Sequence, residues 1–369
     1  MTIGFDAKRA FLNNTGLGNY SRTVIQSMCE HFPEHHYYAF TPRTGPGVYA
    51  EQLLRYEHIE LITAPPLMPK SLWRSWGIVN TIQEKDLEVY HGLSNELPFN
   101  AGRMSCKKVV TIHDLIFESH PGLYKPIDRK IYHYKFKNAC IHADSVIAIS
   151  AYTKNEIVNR YGIPEAKIQV VYQDAAPIFK QEYAQHQLDY IREKYRLPDT
   201  FILQVGTLEK RKNAAVTINA LPHLRNKVPL VLVGRATEYR QELDALMDRQ
   251  GLGREVLFLE DVSYYDLPLI YRQATVFVYP SRIEGFGIPV LEGLYSGVPV
   301  IAATGSCLEE AGGSETLYFD PDDPVALAGH IDRVTGGDFR VNKTRLLQHL
   351  SQFEPLHLSQ QLMTIYQAT

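Results

Sequence analysis

The chain contains the stretch Phe201-Ile-Leu-Gln-Val-Gly206-Thr-Leu-Glu-Lys210-Arg211-Lys212-Asn213. A short, mostly apolar run ends at Gly206, and three consecutive cations follow it closely. Along the chain, short runs rich in β-branched and aromatic residues alternate with longer stretches at helical spacing, a pattern typical of parallel strands joined by crossover helices. The sequence therefore predicts an α/β protein.

Two series of such runs divide the chain. We predict strands of the first series near Ile3–Asp6, Tyr37–Thr41, Ile59–Thr63, Val89–His91, Val109–His113 and Val146–Ser150, and of the second at Phe201–Gly206, Leu230–Gly234, Val256–Leu259, Thr275–Tyr279, Pro299–Ala302 and Leu317–Asp320. Between them, residues 174–198 are polar and interrupted by Pro177 and Pro198.

The predicted architecture is two doubly wound, Rossmann-like domains that face a central cleft. We assign residues 1–175 to an N-terminal domain, 176–198 to a linker, 199–350 to a C-terminal domain, and 351–369 to a C-terminal helix that can pack on either domain, including back on the N-terminal one. Ligands of such sheets bind beyond the carboxyl ends of the strands, so we expect the ligand site in the cleft.

Composition excludes several classes of protein. With 369 residues, 38 Lys and Arg, 41 Asp and Glu and a formal charge of −3, the chain carries no overall signature of nucleic-acid binding. Its four cysteines stand far apart and predict reduced thiols. It shows neither a signal peptide nor about 18 consecutive apolar residues. We expect a cytoplasmic protein that is not integral to a membrane but can work at its inner face.

The cations and a pair of acids are the strongest candidates for binding an anionic ligand. Arg can fork two phosphate oxygens and Lys supplies a point charge, so the basic cluster suits a diphosphate, although a solvated basic turn is the alternative. The segment Glu284-Gly285-Phe286-Gly287-Ile288-Pro289-Val-Leu-Glu292 follows a predicted strand. Its helix begins near the proline, so the preceding amides can bind ligand oxygens and the two acids can address different ends of one ligand.

Two features of the first half are weaker signals. Gly16 and Gly18 precede a predicted helix, where glycines let backbone N–H groups approach an anion, but a tight strand-to-helix turn explains them equally well. His113 ends a strand, and a histidine there could bond to hydroxyls or transfer protons, yet a structural role is commoner for a lone histidine.

Three further segments bear on acceptor binding and on metal binding. Lys125–Asn138 interleaves cations with aromatic residues, and Trp73 and Trp76 could form an aromatic platform. Both features could meet a glycan, a lipid-linked diphosphate or an anionic bilayer. The alternative is a solvated helix face over buried aromatic residues.

The run 317–322 contains Asp-Pro-Asp, a pattern that can bind a cation, but we expect Asp323-Pro324 to be a helix cap and no metal to be bound.

Taken together, these motifs resemble the retaining glycosyltransferases of family 4, which have the GT-B architecture. The residues that carry the resemblance are Gly16-Leu-Gly18-Asn-Tyr20, Thr111-Ile-His113-Asp114-Leu115, Ala148-Ile-Ser150-x-x-Thr153, Gly206 with Arg211-Lys212-Asn213, and the pair Glu284 and Glu292. Within the family, the chain is most similar to bacterial mannosyltransferases that build surface polysaccharide.

The resemblance implies roles by position. Arg211 and Lys212 would hold the donor diphosphate as it leaves, near Gly206, and Glu284 would touch the transferred sugar. The Gly285 to Ile288 segment, with amides of Phe286, Gly287 and Ile288, would bind sugar hydroxyls, and Glu292 the ribose. His113 would line the sugar site, and Gly16 and Gly18 would let the first loop close over phosphate and acceptor. The family's reaction is metal-independent and keeps the anomeric configuration. Where the family usually has proline and aspartate, this chain has Glu309 and Ser314.

We therefore expect a hexosyltransferase that needs no cofactor and moves mannose from GDP-mannose to a glycan or lipid-linked glycan acceptor. A UDP-sugar donor and a nucleotide-sugar 2-epimerase of the same architecture are the alternatives. A catalytically silent glycan-binding protein is a third.

Overall fold

The computed structural model describes residues 1–13, 15–44 and 48–368. It divides into two compact units. Unit 1 comprises Met1–Gln173 and Gln352–Thr369, and unit 2 comprises Asp174–Ser351. Each unit is built on a parallel sheet with interleaved helices, which confirms the predicted pair of Rossmann-like domains.

Unit 1 has a seven-stranded sheet in the order β3-β2-β1-β4-β5-β6-β7. Its strands are β1 (Thr2–Asp6), β2 (His36–Thr41), β3 (Ile59–Thr63), β4 (Val89–Gly92), β5 (Lys107–Ile112), β6 (Ser145–Ala148) and β7 (Ile168–Val170). Its helices are α1 (Lys8–Leu12), α2 (Gly16–His31), α3 (Val48–Leu54), α4 (Lys70–Leu72), α5 (Ile78–Glu84), α6 (Ile116–Ser119), α7 (Pro126–His142) and α8 (Ala151–Tyr161), with a π-helical turn at Trp73–Gly77 and 3-10 turns at Ala101–Arg103, Pro121–Leu123 and Glu165–Lys167.

Unit 2 has a six-stranded sheet in the order β10-β9-β8-β11-β12-β13. Its strands are β8 (Ile202–Val205), β9 (Leu230–Val233), β10 (Val256–Leu259), β11 (Val276–Tyr279), β12 (Val300–Ala303) and β13 (Leu317–Phe319). Its helices are α9 (Gln185–Tyr195), α10 (Ala214–Ala220), α11 (Tyr239–Gln250), α12 (Leu267–Gln273), α13 (Ile288–Tyr295), α14 (Leu308–Gly312), α15 (Pro324–Thr335) and α16 (Lys343–Leu350), with 3-10 turns at Pro177–Lys180, Lys210–Lys212, Leu221–His223 and Gly313–Glu315. After the 3-10 turn Ser351–Phe353, the last helix, α17 (Pro355–Gln367), belongs to unit 1.

The strand order places a switch point in each sheet. In unit 1 the order reverses between β1 and β4, and in unit 2 between β8 and β11, where Phe277 pairs with Leu203. Open α/β sheets bind their ligands outside the carboxyl ends of the strands at this point. The segments after β8 and β11 are the ones that carry the basic cluster and Glu284.

Burial explains which strands the sequence predicted. The strands β4, β6, β9, β11 and β12 are buried along their whole length, and strands covered on both faces appear as continuous apolar runs. The strand β7 was missed because it has only three residues, lies at the sheet edge and includes the half-buried Gln169.

Two segments differ in detail from the predicted domain limits. Residues 176–198 belong to unit 2, where they form a 3-10 turn and α9 rather than a separate linker. The C-terminal helix α17 packs against α2, and its Leu362 and Tyr366 join the core of unit 1. The hydroxyl groups of Ser27 and Ser359 lie 2.5 Å apart between these two helices.

Candidate active site

The basic cluster follows β8 after residues 206–209 and forms the 3-10 turn Lys210–Lys212. Its three cations have different surroundings. Lys210 is 65% exposed and pairs with Glu242 at 2.8 Å, whereas the side chains of Arg211 and Lys212 are 24% and 14% exposed and turn toward Glu284. The structure therefore brings two of the three cations, not all three, into the candidate site.

Glu284 is the centre of this cluster. Its Oε1 atom accepts hydrogen bonds from Arg211 Nη1 at 2.9 Å, Lys212 Nζ at 2.5 Å, Ser281 Oγ at 2.6 Å and Tyr279 OH at 3.0 Å. Among the described residues no donor reaches Oε2. One oxygen is thus held by the protein, and the other can accept from a ligand.

The charges in this cluster determine its protonation. Burial raises the pKa of Glu284, but the charges of Lys212 and Arg211 outweigh it and lower the pKa to about 2. Burial also lowers the pKa of Lys212, although the attraction of Glu284 opposes that shift. Glu284 is therefore an ionised carboxylate between two cations, and Arg211 also pairs with Glu209 at 3.0 Å.

Glu292 is the fifth residue of α13 and has a different environment. Its Oε2 accepts a hydrogen bond from Tyr271 OH at 2.9 Å. Burial raises its pKa to about 7, against the opposing effects of the Tyr271 bond and the Lys212 charge. Unlike Glu284, Glu292 changes its charge near neutral pH.

The loop between the two acids has a backbone that requires glycine. Gly287 has φ +139° and precedes α13, and a Cβ atom there would come within 2.9 Å of Leu308 Cδ2. The buried Cys307 lies against the same loop, with its Sγ 3.1 Å from the Glu284 carbonyl oxygen and 2.7 Å from that of Phe286. Helix α13 begins at Ile288, so the expected Gly285 to Ile288 segment forms the entry to a helix with Pro289 in its first turn.

Gly206 directly follows β8 with φ +142°, and a Cβ atom there would lie 3.7 Å from the Lys212 side chain. The backbone of Gly234, at the end of β9, approaches it so closely that a Cβ on Gly234 would lie 2.0 Å from the Gly206 oxygen. These two glycines let neighbouring strand ends meet beside the basic turn.

His113 follows β5 in unit 1 and is 6% exposed. Its Nε2 lies 2.9 Å from the Leu93 carbonyl oxygen, so Nε2 carries the proton and Nδ1 is the acceptor. Burial lowers its pKa to about 4, although the Leu93 bond opposes this shift. The ring is therefore neutral at pH 7 and can accept a hydrogen bond from a hydroxyl.

A buried network of side-chain hydrogen bonds lies next to His113. Tyr20 packs edge-on against the His113 ring with centroids 4.6 Å apart, and its hydroxyl lies 3.0 Å from Thr111 Oγ1. Thr111 Oγ1 also lies 2.8 Å from His91 Nε2, and His91 Nδ1 lies 2.6 Å from Tyr366 OH. Hydrogen bonds thus link helix α17, which carries Tyr366, to Tyr20, which packs against His113.

The two glycines of the first motif do not lie in a loop. Both are inside α2, which begins at Gly16. A Cβ on Gly18 would lie 1.8 Å from the Asn13 carbonyl oxygen, so this glycine serves the close packing of α1 and α2. Gly16 and Gly18 lie in the first turn of α2, where backbone N–H groups have no partner further along the helix, and the Gly18 N–H donates to the Thr15 carbonyl oxygen at 2.9 Å. Closure of this segment over phosphate and acceptor stays a prediction.

The predicted aromatic platform is also different. Trp73 is 1% exposed and belongs to the core, so the prediction of a surface platform made by Trp73 and Trp76 is wrong. Trp76, 49% exposed, instead packs near Phe99 at 5.5 Å between centroids, and Phe99 lies 5.8 Å from Tyr134 of α7. The face of α7 is mixed, with Phe136 buried and Ile127 and Tyr134 exposed.

The acidic run after β13 forms the expected helix cap. Asp323 Oδ1 accepts from the backbone N–H groups of Val325 and Ala326 at 3.0 and 2.9 Å, and Asp322 pairs with Arg282. Within the described residues, no group of three or more His, Cys, Asp or Glu side chains is placed to hold a metal ion. Glu309, where the family usually has proline, accepts from the Gly305 N–H at 3.1 Å and so closes the turn after β12.

Sequence reasoning missed the three hydroxyl groups that hold the acids. Tyr279 and Ser281 hold Glu284, and Tyr271 holds Glu292. The first two flank the carboxyl end of β11, which is a detectable signal. Tyr271 is on α12, a different element from its partner, and nothing in its local sequence indicates that contact.

The fold has clear structural relatives. It is similar to a glycosyltransferase from Rickettsia africae ESF-5, with a TM-score of 0.77, 17% identity and coverage of 99% of this chain and 97% of that one. Another similar structure is Anabaena Alr3699/HepE in complex with UDP, with a TM-score of 0.74, 18% identity and coverage of 99% and 98%. These similarities define the fold as that of GT-B glycosyltransferases.

Sequence comparison gives the family. A model described as Glycosyltransferase Family 4 matches residues 15–173, and one described as Glycosyl transferases group 1 matches residues 189–344. The chain belongs to glycosyltransferase family 4, as its motifs predicted.

Two relatives with similar sequences are named as O-antigen chain mannosyltransferases. The O-antigen chain mannosyltransferase B of Escherichia coli is 31% identical over 249 residues, which are 66% of this chain and 64% of the relative. The O-antigen chain mannosyltransferase RfbU of Salmonella typhimurium is 27% identical over 216 residues, 58% of this chain and 57% of the relative. The chain thus spans less than two thirds of the length of each.

Proposed function

We propose that this chain is a retaining, metal-independent hexosyltransferase that moves mannose from GDP-mannose to a glycan or lipid-linked glycan acceptor in surface polysaccharide synthesis. The observation that carries this proposal is the cluster after β8 and β11, in which Arg211 and Lys212 converge on the ionised Glu284. Family membership and the O-antigen mannosyltransferase relatives support the sugar and the acceptor class.

The donors of the cluster suit a nucleoside diphosphate. Arg211 and Lys212 face the carboxylate of Glu284, and Arg211 also pairs at 3.0 Å with Glu209, whose side chain is 41% exposed. Charge that develops on a leaving diphosphate is best stabilised by donors that are already positioned. Arg211 would supply a fork to two oxygens and Lys212 a point charge.

The acids would hold the two ends of the donor. The Oε2 atom of Glu284 would accept a hydrogen bond from a hydroxyl of the transferred sugar, together with the backbone of the Gly285 to Ile288 segment. Glu292, held by Tyr271, would accept from the ribose hydroxyls. In unit 1, neutral His113 would accept a hydrogen bond from a sugar hydroxyl through Nδ1.

The state of Glu284 supports a reaction without a covalent glycosyl-enzyme intermediate. A carboxylate with a pKa of about 2, held by four donors on one oxygen, is a poor nucleophile and a poor base. In the proposed step the bond from C1 to the diphosphate oxygen breaks, the acceptor oxygen bonds to C1 on the same face, and the acceptor proton passes to the departing diphosphate. This keeps the anomeric configuration.

The acceptor would meet unit 1. Trp76, Phe99 and Tyr134 offer aromatic surface there, and α7 carries Lys130, Lys137 and the exposed Ile127. Cations and apolar groups on one helix suit the anionic inner face of a membrane, where a lipid-linked acceptor would reside. Within the residues that the structure describes, no helix is long and apolar enough to cross a bilayer.

A donor panel tests the proposal. Purified protein would be incubated with GDP-, UDP- and ADP-sugars, with and without a mannosylated acceptor, in the presence of a chelator. We expect transfer from GDP-mannose with retained configuration. Transfer only from a UDP-sugar would replace the donor assignment, an isomerised donor without acceptor would indicate the epimerase, and neither binding nor turnover of any donor would refute the proposal.

A further inference from the structure

Unit 2 has a groove that the candidate active site does not use. It lies between α9, the 3-10 turn Pro177–Lys180 and the beginning of α12, and its volume is about 400 Å³. That volume is in the range of about 300–1,000 Å³ that is usual for ligand pockets. Among the residues that line the groove there is neither Arg211 nor Lys212 nor either of the two candidate acids.

The walls of the groove are tyrosines over an apolar floor. Tyr190 of α9 and Tyr265 before α12 both line it and are 62% and 68% exposed. The floor includes Ile191 and Leu269, which are 2% and 6% exposed. Exposed tyrosines provide rigid surface that is apolar on its faces and polar at its hydroxyl, at low entropic cost on binding.

The polar groups of the groove carry little net charge. Asp266 is the carboxylate of the lining, and its Oδ2 accepts from Lys194 Nζ and Tyr195 OH, both at 2.7 Å. Gln187 accepts the Ala184 N–H through Oε1 at 2.9 Å, which leaves its amide NH₂ as a donor for a ligand. Amide donors and phenols around an apolar floor match a ligand with hydroxyl groups and no charge.

We propose that this groove binds a neutral oligosaccharide, namely a segment of the glycan on which the enzyme acts. The inference rests on the proposed function, because that function supplies the glycan. The CH-rich faces of pyranose rings pack on tyrosine, and their hydroxyls bond to amides and phenols. The paired Asp266 gives no excess positive charge, so the groove is unsuited to phosphate or nucleic acid. A site outside the reaction centre raises the local concentration of acceptor ends without any further catalytic contact.

Calorimetric titration of the full chain with linear α-mannotetraose, with GDP present at saturation, tests the site. We expect binding by the wild type, and binding at least tenfold weaker in the double variant Tyr190→Ala/Tyr265→Ala. Tyr264→Ala is the matched control, since Tyr264 is 46% exposed next to Tyr265 but does not line the groove, and it should bind as the wild type does. Thermal unfolding checks that all three proteins are folded.

The outcomes separate the groove from the reaction. If the site exists, the double variant transfers to a monosaccharide acceptor at the wild-type rate but loses its preference for longer acceptors. Equal mannotetraose binding by wild type and double variant would overturn the proposal, as would a wild-type dimer that the double variant converts to monomer, because the groove would then join two copies of the chain. Intact binding in a protein that turns over no donor would leave the groove standing and refute the proposed function instead.

Discussion

Replacing Lys212 with methionine is the most informative single change in the site. Methionine has similar length and no charge, so the substitution removes a 2.5 Å bond to Glu284 and the cation proposed to face the diphosphate. Glu284 Oε1 keeps three donors, from Arg211, Ser281 and Tyr279. The carboxylate therefore remains bonded, and the change acts mainly on the ligand.

The expected loss follows from what the cation does. Removing one preorganised donor for developing charge costs about 10²–10³ in kcat, or roughly 3–4 kcal/mol. Stability should fall by less, because a buried cation is lost together with its desolvation cost, which already lowers the pKa of Lys212. We expect kcat for mannose transfer from GDP-mannose to fall about 100-fold or more while the protein remains folded.

The assay is steady-state transfer with release of GDP, for wild type, Lys212→Met and Lys210→Met. Lys210 is the matched control, since it is adjacent, 65% exposed and paired with Glu242 rather than with Glu284. Lys210→Met should keep kcat within about twofold, because exposed ion pairs contribute little. A Lys212→Met enzyme with unchanged kcat and only a raised KM would refute stabilisation of the leaving group at this position.

Three further predictions concern neighbouring residues. Because Glu292 has a raised pKa of about 7 and is proposed to accept from ribose as a carboxylate, GDP affinity measured by calorimetry should rise between pH 6 and 8, and Glu292→Gln should abolish this rise; an unchanged pH profile in the variant would exclude Glu292. Gly287→Ala should lower the free energy of unfolding by about 1–3 kcal/mol in denaturant melts, since alanine is strained at φ +139° and its Cβ meets Leu308; a variant as stable as wild type would contradict that geometry. Tyr20→Phe leaves the Thr111 hydroxyl with one partner fewer and should cost about 1–3 kcal/mol of stability but less than twofold in kcat, because the ring edge against His113 remains; a large loss of kcat at full stability would assign the hydroxyl to the chemistry.

Glu284 should contribute to the loss of folding stability at low pH. Its folded pKa of about 2 lies below its ordinary 4.5, so the stabilisation is present above pH 4.5 and is lost as the pH falls toward 2. Glu284→Gln should remove this part of the pH dependence in denaturant melts between pH 5 and 2. It should also lower stability at pH 7, because the buried Lys212 would be left without a carboxylate and Arg211 would keep only Glu209.

The sequence predicts most of the architecture because five strands are buried along their whole length and thus appear as apolar runs. It fails at β7, whose three residues carry too short a pattern, and at residues 176–198, where polarity predicts a linker although α9 packs on α12. The sequence also fails to predict the burial of Trp73. Two tryptophans three residues apart give the same sequence pattern whether one or both are exposed, and only the tertiary fold buries Trp73.

The candidate site was predictable where its residues adjoin strand ends, as Arg211, Lys212 and Glu284 do. The different fates of Lys210 and Lys212 depend on which direction a 3-10 turn gives each side chain, which local sequence does not determine. Only the fold brings the hydroxyl groups of Tyr279 and Tyr271 to the two acids, and only the fold provides the burial that lowers the pKa of His113.

The most direct measurement is a crystal structure of the protein with GDP-mannose bound. The account predicts diphosphate oxygens within hydrogen-bond distance of the Arg211 guanidinium and Lys212 Nζ, and a mannose hydroxyl on Oε2 of Glu284. A donor whose phosphates bind elsewhere, with Glu284 still held by its four donors and out of reach of the sugar, would contradict it.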